Sequence, residues 1–403
     1  MRVGVVAPDL REPGGVREKT LFVARALRDQ LGASVRLLSL ATSRGDDSSI
    51  LIHRPSTWTR SLVTRYSAEE FSVDHVGAIG AEIEAARYGR RGAMLDLVAD
   101  CDVVHVVCGT PAFANVVSGF GGPVVVHFAS FVRHERRRDH PRREYVVDRW
   151  RQVMTSAVTM IERRALRRAD AIIAVNRTRL AEARSVARPG TPAAVVHTGV
   201  DTNWFSPGPY REDGFLLTVG RLSDPRKNLP VLLQAYAAAR KRAPHVPSLV
   251  LAGPTPPHQN DLALVAGLGL TEVVRYTGPL SRRALADIYR NASAFVLSSD
   301  EEGQGIAIVE AMASGLPVVA TSCVGPSEVI TDGVEGILTP VRSVSGLADA
   351  IVNLSADTVR RRHMSRAARA RAVRDFSLER AGTSLCSVYR EQSSRLDAQH
   401  LSR

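Results

Sequence analysis

Short apolar runs recur along the chain and are separated by longer stretches in which apolar residues repeat with helical spacing. Within the runs, Val, Ile and Leu follow one another with little polar alternation, which is typical of parallel strands covered on both faces. The stretches between them predict helices, among them residues 17–31, 229–243 and 282–291. The predicted strands are RVGVVAP, SVRLLSL, CDVVHVV, PVVVHFA, DAIIAV, AAVVHTG, FLLTVG, SLVLAG, VVRYTG, AFVLSS, PVVATS and EGILTP.

This alternation of strands and helices occurs twice, on either side of a segment rich in Pro and Gly at residues 187–213. We therefore expect two doubly wound α/β domains, 1–196 and 197–375, facing a central cleft. In such domains ligands bind at the carboxyl ends of the strands. Residues 376–403 predict a further amphipathic helix.

Length and composition support a two-domain globular protein, because 403 residues exceed a typical single core. No apolar run reaches the roughly 18 residues of a membrane span, and the first run ends at Pro8, too early for a signal-peptide core. These features predict a cytoplasmic protein. The four cysteines lack ligand spacing, which predicts free thiols and no metal site.

The net charge of +12 comes mainly from arginine, and the only lysines are Lys19, Lys227 and Lys241. In such a chain a lysine can mark a position that requires a compact ammonium, although Lys241 is interpreted as incidental. The run 131–151 carries eight arginines against four acids. A solvated helix face is the simplest interpretation, and contact with an anionic membrane surface or a phosphorylated acceptor is the alternative. Nucleic-acid binding is disfavoured because no recognition motif is present.

The segment LLTVGRLSDPRKNLPVLLQAYAAA predicts an anion site. A strand ends at Gly220, a loop carries Arg221 and Lys227, and a helix follows Asn228, a candidate N-cap. Two cations beside a helix N-terminus favour phosphate binding.

The segment SSDEEGQGIAIVEAMASGLPVVATS places two carboxylates after a strand. Gly303 and Gly305 allow a tight loop, and a helix is predicted to follow. Because residues seven or eight apart share a helix face, we expect Glu302 and Glu310 to face one ligand. A carboxylate accepts two hydroxyl hydrogen bonds, so the pair suits a ribose and a second sugar. The loop lacks the third glycine of a dinucleotide fingerprint.

Two weaker features lie in the first half of the chain. Gly14 and Gly15 follow the first strand, where backbone amides can meet a phosphate. His127 is predicted at the end of a strand, where ligand contact and a core position are about equally favoured, whereas His105 is interpreted as a core histidine.

The segments GRLSDPRKN, EEGQGIAIVEAMASGLPVVAT, HTGVDTNWFSP and GPSEVITDGVEGILTP resemble the C-terminal half of retaining glycosyltransferases of family 4, which have the GT-B fold. The GG pair and VVVHF resemble their N-terminal half. The resemblance is strong from about residue 195 to 376 and thin from about 43 to 99. It implies an acceptor-side domain 1–196, a nucleotide-sugar domain 197–375 and a terminal helix 376–403 that crosses back.

The resemblance also implies roles for individual residues. Arg221 and Lys227 would hold the donor diphosphate beside Gly220, and Glu310 would bind the ribose. Glu302 and the backbone of residues 303–306 would bind the donor sugar. The residues of this loop are Gly303, Gln304, Gly305 and Ile306. Gly15 would bring an amide to the donor phosphate, and His127 would contact the sugar near the reacting centre. Gln304 replaces the usual aromatic residue, which puts the packing around the sugar in question.

The expected activity is metal-independent, retaining transfer of a hexosyl unit from a nucleotide-diphosphate sugar, UDP- or GDP-linked, to an acceptor hydroxyl, without a cofactor. The acceptor is expected to be phosphorylated, membrane-bound or a small cyclitol or aminosugar. One alternative is a phosphate-dependent sugar phosphorylase or synthase of similar architecture. Another is a non-catalytic basic protein that binds a membrane or nucleic acid.

Overall fold

The computed structural model describes residues 1–12, 14–80, 82–136, 145–209 and 214–401, without the side chains of 145–148 and 392–401. The chain divides into two compact units. Unit 1 comprises Met1–Thr198 and Ala381–Arg403, and unit 2 comprises Gly199–Arg380. Each unit is built on a largely parallel sheet with helices packed on it, which confirms the predicted α/β class.

The strands of unit 1 are β1 (Arg2–Pro8), β2 (Ser34–Leu40), β3 (Val63–Ala68), β4 (Phe71–Val76), β5 (Val103–Cys108), β6 (Val124–Phe128), β7 (Ala171–Ala174) and β8 (Ala193–Val195). Over the described residues they form one sheet in the order β3-β4-β2-β1-β5-β6-β7-β8. Neighbouring strands run parallel except in the antiparallel hairpin β3–β4. This hairpin was not predicted from the sequence, because β3 is an edge strand with mostly exposed side chains and so lacks an apolar run.

The helices of unit 1 pack on both faces of this sheet. They are α1 (Gly15–Asp29), α2 (Gly92–Val98), α3 (Val132–Glu135), α4 (Tyr145–Arg168) and α5 (Arg177–Arg184), with 3-10 helices at Pro55–Thr57, Glu84–Tyr88 and Pro111–Val117. On one face, alternate residues of β5 and β6 such as Val104 and Val126 join an apolar cluster with Leu166 of α4. The other face carries His105 and His127.

The strands of unit 2 are β9 (Phe215–Val219), β10 (Leu249–Ala252), β11 (Val274–Tyr276), β12 (Ala292–Leu297), β13 (Val318–Thr321) and β14 (Gly336–Thr339). Over the described residues they form a parallel sheet in the order β11-β10-β9-β12-β13-β14. Every one of these strands coincides with a predicted apolar run. The order changes direction at β9, so the loops after β9 and β12 leave the same edge of the sheet side by side.

The helices of unit 2 cover both faces of its sheet. They are α6 (Leu229–Arg242), α7 (Gln259–Gly267), α8 (Arg282–Asn291), α9 (Ile306–Ala313), α10 (Val324–Val329), α11 (Val344–Ala356) and α12 (Thr358–Phe376), with a 3-10 helix at Pro225–Lys227. Leu216 of β9 packs with α6 and α11, and the next residue, Leu217, packs with α9 and α12. This burial on both faces explains the continuous apolar runs in the sequence.

The last helix, α13 (Leu378–Leu401), is separated from α12 by Ser377. Ser377 has extended backbone angles, and the Val200 segment exchanges backbone hydrogen bonds with Phe376 and Leu378 on either side of it. Most of α13 belongs to unit 1. In the described part of the chain, no helix is both long and apolar enough to cross a membrane.

Candidate active site

The loop after β9 gathers three cations around one carboxylate. Asp224 caps the short 3-10 helix by accepting a hydrogen bond from the Arg226 amide at 3.0 Å. Its carboxylate also contacts the guanidinium of Arg226 at 2.6 Å and that of Arg221 at 3.2 Å. Burial alone would raise the pKa of Asp224, but the Arg226 hydrogen bond and the charges of Arg226, Arg221 and Lys227 lower it below 3.8. Asp224 therefore stays ionised and holds the loop, a role that the sequence analysis missed.

Gly220 and Asn228 delimit this loop. A Cβ atom at Gly220 would lie 3.1 Å from Cε of Lys227, so glycine lets the lysine side chain lie against the end of β9. Asn228 stands at the N-cap of α6 with a left-handed backbone, φ 47°. Asn228 is therefore the N-cap that was predicted, but its side chain forms no capping hydrogen bond, and its amide instead donates to Asp300 on the loop after β12 at 2.8 Å. This hydrogen bond ties the two loops together.

The loop after β12 brings Glu302 to Lys227. The lysine Nζ lies 2.5 Å from Oε1 of Glu302, and the hydroxyl of Ser299 donates to the same oxygen at 2.8 Å. The two charged side chains are only 19% and 13% exposed. Lys227 and Glu302, which were predicted as site residues from two separate motifs, thus form a partly buried ion pair at the carboxyl edge of the sheet.

Glu310 lies in α9, the helix that was predicted to follow the glycine loop. Helix α9 begins at Ile306, so Glu310 lies about one turn into it, whereas Glu302 lies outside it and beyond Gly305, whose φ is 81°. The expectation that helical periodicity places both carboxylates on one face is therefore wrong. Glu310 accepts a hydrogen bond from the buried hydroxyl of Tyr289 in α8 at 2.9 Å.

The backbone of the intervening loop rests on α10. The Gly325 amide donates to the carbonyl of Glu302 at 3.2 Å. A Cβ atom at Gly325 would lie 2.9 Å from that carbonyl and 3.0 Å from the carbonyl carbon of Gln304. Gln304 itself is buried. Gly303 and Gly305 flank it in this supported turn.

The predicted residues of unit 1 lie at the start of α1 and near the end of β6. Gly15 is the first residue of α1. His127 is fully buried, and its Nδ1 lies 3.3 Å from Nε2 of His105. Nδ1 of His105 lies 2.6 Å from the hydroxyl of Tyr389 in α13. Burial, reinforced by the charge of Lys19, lowers the pKa of His105 to about 3 and that of His127 well below 6.5. Both imidazoles are therefore neutral at physiological pH.

A polar cluster at the carboxyl ends of β1, β2 and β4 also lies in unit 1. Asp9, Asp46 and His75 each place a potential ligand atom within 4.8 Å of the others. The guanidinium of Arg11 contacts all three side chains. The guanidinium thus joins the three side chains in an ion-pair network and supplies the positive charge beside the two carboxylates.

A separate cavity of about 620 Å³ lies at the amino end of β6 and is lined by residues such as Arg90, Arg164 and Arg168. It contains none of the predicted site residues. Part of the predicted basic run, residues 137–144, lies outside the described residues. Within α4, Trp150 is 61% exposed.

Two family models match the chain. One, described as Glycosyltransferase Family 4, matches residues 13–204, and the other, described as Glycosyl transferases group 1, matches residues 214–357. Similar curated proteins include the D-inositol 3-phosphate glycosyltransferases of Kribbella flavida, 34% identical over 51% of this chain and 52% of that protein, and Actinosynnema mirum, 34% identical over 48% and 51%. The chain therefore spans about half the length of the curated relatives it matches.

Solved structures resemble the whole chain. A sucrose-phosphate synthase from Thermosynechococcus elongatus has a TM-score of 0.75 at 19% identity over 98% of this chain and 99% of its own. Anabaena Alr3699/HepE in complex with UDP-glucose has a TM-score of 0.69 at 19% identity over 97% and 99%. The structural likeness gives the fold, the family matches cover both units, and the chain belongs to glycosyltransferase family 4 with the GT-B fold.

Proposed function

We propose that the protein transfers a hexosyl unit from a nucleotide-diphosphate sugar to an acceptor hydroxyl with retention of configuration. The observation that carries this proposal is the contact of Lys227 with Glu302 at 2.5 Å, which joins the cation loop and the carboxylate loop at one sheet edge. Arg221 lies on the same loop as Lys227 and is held by Asp224. A fixed cation pair next to a fixed carboxylate suits a ligand with a diphosphate beside a sugar.

In the proposed binding mode the donor spans the loops after β9 and β12. Arg221 and Lys227 bind the diphosphate, and Glu310 binds the ribose hydroxyls with its orientation set by Tyr289. Glu302 and the backbone of residues 303–306 bind the transferred sugar. The donor is UDP- or GDP-linked in this proposal, and the HepE structures that resemble the chain contain UDP or UDP-glucose.

The chemical step breaks the bond between the anomeric carbon and the diphosphate oxygen. The acceptor hydroxyl attacks the face that the diphosphate leaves, and its proton passes to the departing phosphate oxygen, so the products are a glycoside and a nucleoside diphosphate. Arg221 and Lys227 neutralise the charge that develops on the leaving group, and their positions are fixed before the reaction begins. These two cations take the role that a metal ion has in other transferases, and the proposal therefore assigns neither a metal nor a cofactor.

For the acceptor we propose a small phosphorylated polyol of the inositol-phosphate type. The curated relatives are named D-inositol 3-phosphate glycosyltransferases. A phosphorylated acceptor also agrees with the cation excess of the chain, a net charge of +12.

The test compares Lys227→Ala and Glu310→Ala with Lys241→Ala, which changes an exposed lysine of the same unit. Sugar transfer and donor hydrolysis are measured with UDP- and GDP-sugars, and the anomeric configuration of the product is read by NMR. We expect Lys227→Ala to lower kcat by about 10²–10³-fold, the usual cost of one charge-stabilising group, and Lys241→Ala to change nothing.

Because Lys227→Ala leaves the carboxylate of Glu302 unpaired, the melting temperature of each variant is measured as well. A folded Lys227→Ala protein with full activity would show that the donor site has been misplaced. An inverted anomeric product, or activity that disappears with a metal chelator, would contradict the proposed mechanism.

A further inference from the structure

Lys19 is a buried cation without a hydrogen-bond partner. It lies in the second turn of α1, the residue is 3% exposed, and its Nζ has no hydrogen-bond partner among the described residues. Its electrostatic neighbours are Cys108 at the end of β5 and Glu135 in α3. Buried polar groups in folded proteins are almost always paired, so an orphaned ammonium requires an explanation, such as a ligand that supplies the missing acceptor.

The direction of the Lys19 side chain relates it to the start of α1. Side chains in a helix point back towards its N-terminus, and residues four apart lie on the same face. Lys19 therefore extends towards Gly15. The first amides of α1 have no intrahelical acceptor, and the N-cap, Gly14, has no side chain that could accept from them. The ammonium and these amides thus present donors and positive charge at one place, which favours an anion.

A second orphaned donor belongs to His127. The Tyr389 hydroxyl lies 2.6 Å from Nδ1 of His105, and we assign the hydroxyl as the donor because its hydrogen has no other acceptor in the described part of the chain. His105 is neutral, so its remaining proton is on Nε2, which donates to Nδ1 of His127 at 3.3 Å. The proton of neutral His127 is then on Nε2.

Nε2 of His127 is buried and forms no hydrogen bond to a described residue. The backbone of Val196 interacts with the imidazole and raises the pKa of His127, but Nε2 has no partner at hydrogen-bonding geometry. His127 of β6 pairs with Val107 of β5, next to Cys108, which is a neighbour of Lys19. All three side chains are buried and the charge of Lys19 lowers the pKa of both imidazoles, so the ammonium and the two imidazoles belong to one buried cluster.

We propose that the Lys19 ammonium and the His127 Nε2–H form an oxyanion-binding pair in unit 1 that receives a phosphate group of one of the two substrates. The proposal rests on the proposed transferase function and adds Lys19 to its binding residues. Both groups are donors, and a phosphate oxygen accepts from ammonium and imidazole N–H alike. No thiolate competes for Lys19, because burial raises the pKa of Cys108 to about 12. His105 and Tyr389 act as positioning residues that keep the His127 proton on Nε2.

The phosphate belongs either to the donor diphosphate or to the acceptor, and binding measurements on the full chain distinguish the two. Calorimetry gives dissociation constants for UDP and uridine, and for D-myo-inositol 3-phosphate and myo-inositol. In each pair the affinity ratio isolates the contribution of the phosphate. The proteins compared are the wild type, Lys19→Met, Lys19→Gln and the control Lys241→Met, in which the lysine is exposed.

We expect Lys19→Met to reduce one of the two ratios by about 10-fold or more, as for a lost charge-assisted hydrogen bond, and to leave uridine and myo-inositol unaffected. A change in the affinity ratio of UDP to uridine assigns Lys19 and His127 to the donor phosphate. A change in the affinity ratio of D-myo-inositol 3-phosphate to myo-inositol assigns them to the acceptor phosphate. Lys19→Gln, which keeps a donor without the charge, should lose less affinity.

If Lys19→Met folds and both ratios stay unchanged, the pair is not an oxyanion site and the proposal is wrong. This outcome is distinct from a failure of the proposed function. In that case, the wild type would not bind UDP, or Lys227→Ala would bind it normally, whatever residue occupies position 19.

Discussion

Replacing Lys19 by Met should stabilise the unliganded protein at neutral pH. Met has nearly the same length and shape as Lys and suits the apolar part of the site, but it carries no charge that must be desolvated. In the wild type, burial lowers the pKa of Lys19 from 10.5 to about 8. The folded state therefore binds the proton less tightly than the unfolded state does.

The magnitude follows from that difference in pKa. At about 1.4 kcal/mol per pKa unit, a fall from 10.5 to about 8 lowers the free energy of unfolding by about 3 kcal/mol when the lysine is protonated in both states. Lys19→Met removes this penalty. We expect the variant to gain up to about 3 kcal/mol at pH 7, which is large beside the 5–15 kcal/mol typical of a folded protein.

The dependence on pH has a definite sign. Between about pH 8 and 10.5 the unfolded chain binds more protons at this lysine than the folded chain does, so the wild type becomes more stable as the pH rises. Lys19→Met lacks this rise, and its advantage over the wild type should shrink towards zero near pH 10.5. The neighbours that face Lys19 are Cys108, Glu135, His127 and His105. Because burial raises the pKa of Cys108 to about 12, its thiol keeps its proton through most of this range.

The assay is urea denaturation of the wild type, Lys19→Met and Lys241→Met, followed by circular dichroism at pH 7, 8.5 and 10. Lys241 is exposed at the end of α6, so its replacement should have little effect at any of these pH values. A Lys19→Met protein that is less stable than the wild type at pH 7 would refute the reasoning, because it would mean that the ammonium has a stabilising partner. If the stability gain of Lys19→Met over the wild type were the same at all three pH values, the gain would not come from removing the charge of Lys19.

Three further outcomes are expected. Burial lowers the pKa of His105 to about 3, so on acidification this histidine is protonated in the unfolded chain before it is protonated in the folded one. The free energy of unfolding should therefore fall between pH 6.5 and 3. The fall should be less steep in His105→Gln, which lacks this imidazole. Gly325→Ala places a methyl group 2.9 Å from the Glu302 carbonyl and should raise the KM for the donor, since overpacking costs about 1–3 kcal/mol. Tyr289→Phe removes the hydrogen bond to Glu310 and should raise the donor KM about 10-fold with little change in kcat, since such bonds contribute about 1.5–3 kcal/mol.

Each of these outcomes has a control or a contrary result. Gly267→Ala in α7 adds a methyl group that meets nothing within 4 Å, so it should leave the donor KM unchanged. If Gly267→Ala and Gly325→Ala behaved alike, the support of the loop by α10 would be unimportant. An unchanged KM in Tyr289→Phe would show that Glu310 keeps its orientation without the phenol. If the free energy of unfolding fell equally steeply with pH in His105→Gln and in the wild type, His105 would not be the cause of the fall.

The sequence predicted the strands of unit 2 well because each is buried on both faces, and such a strand is a continuous apolar run. β9 shows this, since Leu216 and Leu217 pack in apolar clusters on opposite faces and both are buried. The hairpin β3–β4 escaped prediction for the opposite reason. It lies at the edge of its sheet, most side chains of β3 face solvent, and polar residues there obscure the strand pattern.

The candidate site was predictable as a set of residues and less so as a geometry. The sequence proposed Arg221, Lys227, Glu302 and Glu310 as candidates, and the structure brings Lys227 and Glu302 into contact. Their contacts depend on loops, where backbone angles are set by tertiary hydrogen bonds. Asn228 shows the limit, because the residue stands at the predicted N-cap while its side chain reaches another loop, 72 residues away in the sequence, at Asp300.

The choice between lysine and arginine supports the interpretation of Lys19. Where this chain buries an arginine, the guanidinium has acceptors: Arg91 donates to two backbone carbonyls, Arg361 does the same, and Arg179 pairs with Glu182. Lys19 alone of these cations lacks such an acceptor in the described part of the chain. Burial lowers the pKa of the Lys19 ammonium only to about 8, so at pH 7 this side chain keeps its proton, as a guanidinium would. The empty protein therefore carries a buried charge that costs stability, and the same charge is in place when an anion arrives, which is the behaviour expected of a binding group.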